Sequence, residues 1–371
     1  MARDGLYNQA SEITRPRNHA TLLLRHQTRP RSSLLPGGAY FNRKLARMLI
    51  ATAMILVGFI VLIWSADLFV AGAASIAKNM GMSPIIIGLT IVSIGTSAPE
   101  ILVAITASLS DAGELAIGNA IGSNIANIAL VLGVTLLVAP FMVHERCMKT
   151  EYPILLLATL FVGLLILDYG LSPGNGWLMI FLLVIIMGFL LRKQYKGGNM
   201  REEAEDETET ALTPKKAWFS FLLGLALLIT SSKILVSGAV LAAETLGVSE
   251  LVIGLTIVAI GTSLPELAAT IASAMRGHTE IALGNIIGSN LFNLLAVMAI
   301  PGIVATRTLD PSVIARDYFT MTLLTLFLGI AIFISRRRQK SSPGHSYLGR
   351  ILGALLVSFY ALYYYALHVT T

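Results

Sequence analysis

The sequence predicts an all-α polytopic membrane protein, with about ten transmembrane helices arranged as two inverted five-helix repeats. Three observations carry this expectation. The 371 residues are 55% hydrophobic and 13% charged, whereas an ordinary soluble domain carries about 25% charged residues. Several apolar runs exceed the roughly 18 residues that mark a spanning helix. Residues 81–127 also return without a gap at 247–293, with 24 of the 47 positions identical.

The apolar runs place spans at about 48–71, 84–108, 115–139, 152–168, 177–192, 217–243, 251–275, 281–304, 316–335 and 348–368. The fourth and fifth are short. Residues 1–47 form a basic extension with nine Lys/Arg and two acids. It reads as disordered, as an Arg-rich targeting segment, or as a misassigned start, Met48 being the favoured alternative. Residues 48–192 hold the first five helices and 217–371 the second five. Between them, 193–216 reads as an acidic cytoplasmic linker. Its run EEAEDETE (202–209) lacks the Asp/Asn/Gly spacing of an EF-hand loop, and like charge at that density stays solvated.

An even number of spans puts both termini on one face. Termini outside would leave fifteen Lys/Arg in the inner loops and only Arg307 and Arg316 in the outer ones. The positive-inside rule therefore predicts both termini outside. The second repeat copy lies five spans after the first, an odd number, so the copies cross the bilayer in opposite directions. Inverted repeats hold their binding sites near the midplane, where broken helices of both halves meet.

The shared blocks are GLTIVSIGTSAPE (88–100) with GLTIVAIGTSLPE (254–266), and GNAIGSNIAN (118–127) with GNIIGSNLFN (284–293). Pro99 and Pro265 have no N–H, so the carbonyls of Gly95 and Gly261 lose their helical partners. A bound cation is the expected answer to those carbonyls, because bare ones are costly in a bilayer. Glycine at 95 and 261 also admits a close neighbour. Thr96 and Glu100 are four residues apart and share a helix face. Thr262 and Glu266, Ser123 and Asn127, and Ser289 and Asn293 repeat that spacing. Every candidate ligand is oxygen, which suits hard cations, and an intramembrane carboxylate is functional by default. Ser97, Ser263, Asn119, Asn124, Asn285 and Asn290 read equally as ligands or as packing and capping groups.

Asp67 and Lys233 occupy equivalent repeat positions, so they belong at opposite depths and are not expected to pair. Lys233 is expected to snorkel. Asp67 reads equally as part of an ion path or as an interfacial group. Cys147 is alone, which excludes an intrachain disulfide. The six histidines lie in loops or at ends, and there is no HExxH motif. A membrane-embedded hydrolase therefore finds no catalytic set within hydrogen-bond reach.

The doubled blocks resemble the two alpha-repeats of the cation/Ca²⁺ antiporter superfamily, the sodium/calcium exchangers, over about 48–371. The resemblance is to the short bacterial type. It implies a secondary active antiporter, not an enzyme, that exchanges Ca²⁺ for Na⁺ across the plasma membrane in calcium homeostasis. Alternating access would come from sliding of the first and sixth helices. Thr96, Ser97, Glu100, Ser123 and Asn127 would be ligands of the first half, and Thr262, Ser263, Glu266, Ser289 and Asn293 those of the second. Backbone carbonyls near Ser93 and Ala259 would join them. Well-studied exchangers carry Asp where this chain has Asn293, so the site loses one titratable group. A K⁺-dependent or H⁺-coupled antiporter, or a passive cation channel, are the alternatives. The implied setting is a bacterial inner membrane. Partners are the bilayer and inorganic cations, with no nucleic acid and no cofactor beyond the transported ions. The chain would work as a monomer.

Overall fold

The computed structural model describes residues 37–144, 147, 149–196, 211–248, 259–338 and 345–370. The acidic run 202–209, residues 1–36 and the repeat segment 251–258 lie outside the described residues. Residues 44–371 form one compact unit. Of residues 1–43, those described are the opening turns of α1, which runs Gly37–Met80. The helix therefore begins before Met48, and residues 37–47 belong to it.

At 1.5 Å per residue, this 44-residue helix is about 66 Å long, well beyond the roughly 30 Å of a hydrocarbon core. Next come α2 (Pro84–Thr96) and α3 (Ala98–Leu109), two pieces bent by 46° at their junction. They are followed by α4 (Gly113–Val138), the short α5 (Glu151–Leu165), α6 (Pro173–Lys196) and α7 (Pro214–Leu246). The second half continues with α8 (Ala259–Thr262), α9 (Leu264–Met275), α10 (Thr279–Val304), α11 (Val313–Arg337) and α12 (Arg350–Thr370).

Among the described residues, seven helices are long and apolar enough to cross a membrane, or eight if the bent α2–α3 pair is one span. α5 and α9 are shorter apolar helices. The fifth segment, expected to be short, extends over 24 residues. Among the described residues there are also two small antiparallel ribbons that the apolar pattern does not announce. β1 (Phe141–His144) pairs with β4 (His345–Leu348), and β2 (Gly170–Leu171) with β3 (Arg307–Thr308). The loops after α4 and α11 therefore share one face, and those after α5 and α10 share another.

Burial ranks the helices. The apolar stretch of α4 is 72% buried and that of α10 83%, whereas α1 reaches 22% and α12 17%. Two small-residue, Asn-rich helices therefore form the centre, and long apolar helices form the lipid-facing rim.

Glycine contacts show how the repeats meet. A Cβ on Gly58 would touch the backbone of Leu235, and one on Gly224 that of Phe69. Likewise, one on Gly72 would meet Phe221, and one on Gly238 would meet Ala51 and Ile55. Each pair maps onto the next by the 166-residue offset, as a two-fold axis requires. Partner numbers fall along α7 as they rise along α1, so the two helices run antiparallel. The repeats are therefore inverted. Between α2 and α10 the approach is also backbone to backbone: a Cβ on Gly284 would meet the Ile85 carbonyl, and one on Gly88 the Ile281 carbonyl at 2.6 Å.

These contacts leave no room for a methyl group. Gly88→Ala and Gly284→Ala should each cost about 1–3 kcal/mol by overpacking, seen as a lower unfolding temperature in detergent. Gly188→Ala, whose Cβ would meet nothing within 4 Å, should leave that temperature within experimental error.

Candidate functional site

The GTSAPE and GTSLPE motifs break their helices at the serine, two residues before the proline. Ser97 (φ −82, ψ 6) and Ser263 (φ −89, ψ 4) leave the helical region and enter the sparsely populated bridge region where many active-site residues lie. Helix resumes with proline in its first turn, where the missing N–H is harmless. The break therefore starts a new helix whose first turn carries Glu100 in one half and Glu266 in the other. A helix N-terminus favours a carboxylate there.

Both carboxylates are inside, each 1% exposed, and close enough for Glu266 to act on Glu100 as a like charge. The halves interlock around them. The Ser97 hydroxyl donates to Glu266 Oε1 at 3.1 Å, joining the break of the first half to the carboxylate of the second. Thr96 Oγ1 donates to Asn285 Oδ1 at 3.1 Å, and Asn285 Nδ2 donates to Thr270 Oγ1 at 2.9 Å. α3, which bears Glu100, packs on the Ser123 helix and on the π turn Asn293–Val297. α9, which bears Glu266, packs on the Ser289 helix and on the π turn Asn127–Leu132. Each carboxylate helix is thus flanked by the serine helix of its own half and by the asparagine turn of the other. Both π turns begin at the motif asparagine, a type of distortion frequent at functional sites.

Oxygens here are buried without protein partners. Both Glu100 oxygens, Glu266 Oε2, Ser263 Oγ, Ser289 Oγ, and the amides of Asn127 and Asn293 make no hydrogen bond. Each such group costs about 1–3 kcal/mol when left unsatisfied. Ser123 is buried with them, and Thr262 is half-buried. This set is all oxygen apart from the two amide nitrogens and carries two carboxylates, the donor set of a hard-cation site.

Other candidates make contacts within the frame, although Asn119 Nδ2, Asn124 Oδ1 and Asn290 Oδ1 are also buried without a hydrogen bond. Asn285 bridges Thr96 to Thr270, and Asn290 Nδ2 returns to the Ile286 carbonyl at 2.9 Å. Asn124 Nδ2 meets Met321 Sδ at 3.4 Å. Asn119 is half-buried. The Ser93 carbonyl accepts the Ser97 N–H at 2.9 Å and the Thr96 hydroxyl at 3.4 Å. Ala259 opens α8.

Three placements correct or complete the sequence expectations. The carbonyl freed by Pro265 does not wait for a cation, because the Ser232 hydroxyl of α7 donates to the Gly261 oxygen at 3.2 Å. Gly95 is buried against the Leu225 side chain, and the residue equivalent to Ser232 is Ala66, which has no hydroxyl. Asp67 is gripped by Arg276 at the end of α9, through Nε to Oδ1 and through Nη2 to Oδ2 at 2.6 Å. Its side chain is 52% exposed. Cys147 is buried in the core, beyond what its loop position suggests. Ser232 and Arg276 were missed because their partners lie 29 and 209 residues away. The Ser231–Ser232 pair inside an apolar helix was the available signal for the first.

Two inverted helical repeats that bury paired carboxylates among neutral oxygens define a membrane transporter of cations. Residues 50–192 and 216–369 match the family described as Sodium/calcium exchanger protein. The chain is 43% identical over 323 residues to the putative antiporter CaxA of Alkalimonas amylolytica, covering 86% of this chain and 99% of that one. It is 37% identical over 322 residues to the inner membrane protein YrbG of Escherichia coli K12, covering 85% and 98%. The fold matches the sodium-calcium exchanger NCX_Mj with a TM-score of 0.70 at 30% identity, over 84% of this chain and 96% of that one. The chain belongs to the sodium/calcium exchanger family of cation/Ca²⁺ antiporters.

Ser232→Ala would leave the Gly261 carbonyl without its hydroxyl partner. It should cost about 1 kcal/mol, read as a modest drop in unfolding temperature. A Ser232→Thr variant, which keeps the hydroxyl, should lose less.

Proposed function

We propose that the chain exchanges Ca²⁺ for Na⁺ at one shared site centred on Glu100 and Glu266. The observation that carries this reading is the pair of buried carboxylates, one from each half, among oxygens that make no hydrogen bond. Two carboxylates supply a charge of −2, which balances one Ca²⁺, and Ca²⁺ takes about 6–8 oxygen ligands. Thr96, Ser97, Ser123 and Asn127, with Thr262, Ser263, Ser289 and Asn293, are the neutral oxygens that complete the shell. The same charge is met by Na⁺ ions when Ca²⁺ leaves. Because −2 cannot hold both loads, the two ions compete, and competition at one site makes transport an exchange.

Asparagine at both 127 and 293 favours a second coupling, since the pair contributes no charge. K⁺ or H⁺ then replaces Na⁺ as the counter-ion while the site stays the same. The remaining parts of the reading are ten spans, both termini outside, a cytoplasmic linker at 193–216 between halves at 48–192 and 217–371, and a bacterial inner membrane. Inner-loop charge supports the orientation, and the E. coli relative's description supports the membrane.

The test is ⁴⁵Ca²⁺ uptake into proteoliposomes of the wild type, Glu100→Gln and Glu266→Gln. Either substitution halves the site charge and removes no volume. Both variants should fold, by their elution as single species in detergent, and should transport at the protein-free background. Wild-type flux retained in Glu100→Gln would remove that residue from the site.

A further inference from the structure

The 166-residue repeat makes every departure from symmetry informative, and one of them lies beside a cavity next to the site. A cavity of about 250 Å³ lies between α3, α7 and the α8–α9 break. Pro99, Thr106, Ser232, Thr262 and Pro265 are among its walls. It reaches the turn that immediately precedes Glu266. Thr262 is half-buried on this side, whereas its repeat equivalent Thr96 is 0% exposed. Lys233 is the one charged residue among the described residues that line the cavity, and it is exposed. Its equivalent in the other repeat is Asp67, whose charge is taken up by Arg276. Where Arg276 has its own equivalent, beside Lys233's end of the pseudo-symmetric frame, the chain carries the neutral Ser110.

We infer that Lys233 is a specificity-determining residue of the transport reaction: its fixed positive charge, in the cavity beside the turn before Glu266, disfavours divalent cations held at the site. This rests on the exchange function proposed above. A side-chain charge sets a potential at the neighbouring site, and the free energy of an ion in that potential scales with the ion's charge. A low-dielectric wall focuses the field, and all but three of the residues lining this cavity are glycine, proline or apolar side chains apart from Lys233 itself. A divalent ion therefore bears twice the penalty of a monovalent one, so the fold-change for Ca²⁺ is the square of that for Na⁺. In the orientation with termini outside, this is the outer face. Lys233 there weakens Ca²⁺ rebinding more than Na⁺ loading, which assists release of one and capture of the other. The pairing of Asp67 with Arg276 neutralises the matching position on the opposite face, so the bias acts from one side only.

The test is equilibrium ⁴⁵Ca²⁺ binding to the purified full chain in detergent, with Na⁺ affinity read from displacement of Ca²⁺. At low ionic strength, Lys233→Gln should raise Na⁺ affinity about twofold and Ca²⁺ affinity about fourfold, in keeping with the charge-squared relation. Lys233→Glu should move both further with the same relation, and Lys233→Arg should restore wild-type affinities. Added choline chloride should shrink the effects by screening. Equal shifts for both ions, or none, in Lys233→Gln and Lys233→Glu would overturn the inference while leaving the exchange function intact. A wild type that binds no Ca²⁺ would overturn the exchange function itself and this inference with it.

Discussion

Two carboxylates held within a helical bundle need their charge answered, because moving an ionised group out of water costs several kcal/mol even after relaxation. Neutral hydroxyls are all that reach them: Glu266 Oε1 accepts from Ser97, while Glu266 Oε2 and both Glu100 oxygens make no hydrogen bond. Among the described residues, no lysine or arginine is paired with either of them. A mobile cation or a proton is the remaining source of compensation, and a bound ion of either kind can be exchanged for another. The broken helices, the π turns and the glycine seams all follow from bringing these two groups to one place while keeping backbone groups satisfied.

The inverted repeat solves that placement. A single break motif, written twice and turned over, delivers two carboxylates to one region from opposite sides of the bilayer. The cost is close backbone approach, which only glycine permits at Gly88 and Gly284 between α2 and α10. The long rim helices α1 and α7 are tied to each other by reciprocal glycine contacts and are far less buried than α4 and α10. Symmetry is then broken by few residues. Ser232 stands opposite Ala66, and Lys233 opposite Asp67, so a fold with near-equal halves presents unequal faces to the ions it carries.

Much of this was legible in the sequence. The repeat offset, the two Pro breaks and the four-residue spacing of Thr96 with Glu100 and of Ser123 with Asn127 are local patterns, and local patterns survive in one dimension. Their inversion was also legible, since it follows from counting apolar runs. What was hidden depends on contacts between distant segments. The Asp67–Arg276 ion pair, the hydroxyl that Ser232 gives to Gly261 and the bridge from Thr96 through Asn285 to Thr270 join segments whose proximity no spacing announces. The start of α1 at Gly37 was missed for another reason: the charges of Arg43, Lys44 and Arg47 read as a tail, yet Arg47 continues the helix and pairs with Glu244 of α7 at 3.3 Å. The ribbons between loops escaped because strands of two to four residues carry no periodic signal.

The most direct test of exchange at a shared site is the dependence of Ca²⁺ movement on an opposing ion gradient. Proteoliposomes would be loaded with Na⁺, with K⁺, or with an acidic lumen, diluted into ⁴⁵Ca²⁺, and compared with vesicles that carry no gradient. A site that holds one load or the other predicts uptake that requires an outward gradient of a counter-ion, Na⁺ foremost, and that saturates as that gradient collapses. Equal Ca²⁺ entry with no gradient of any of the three would contradict it, because ions would then be passing through without being traded.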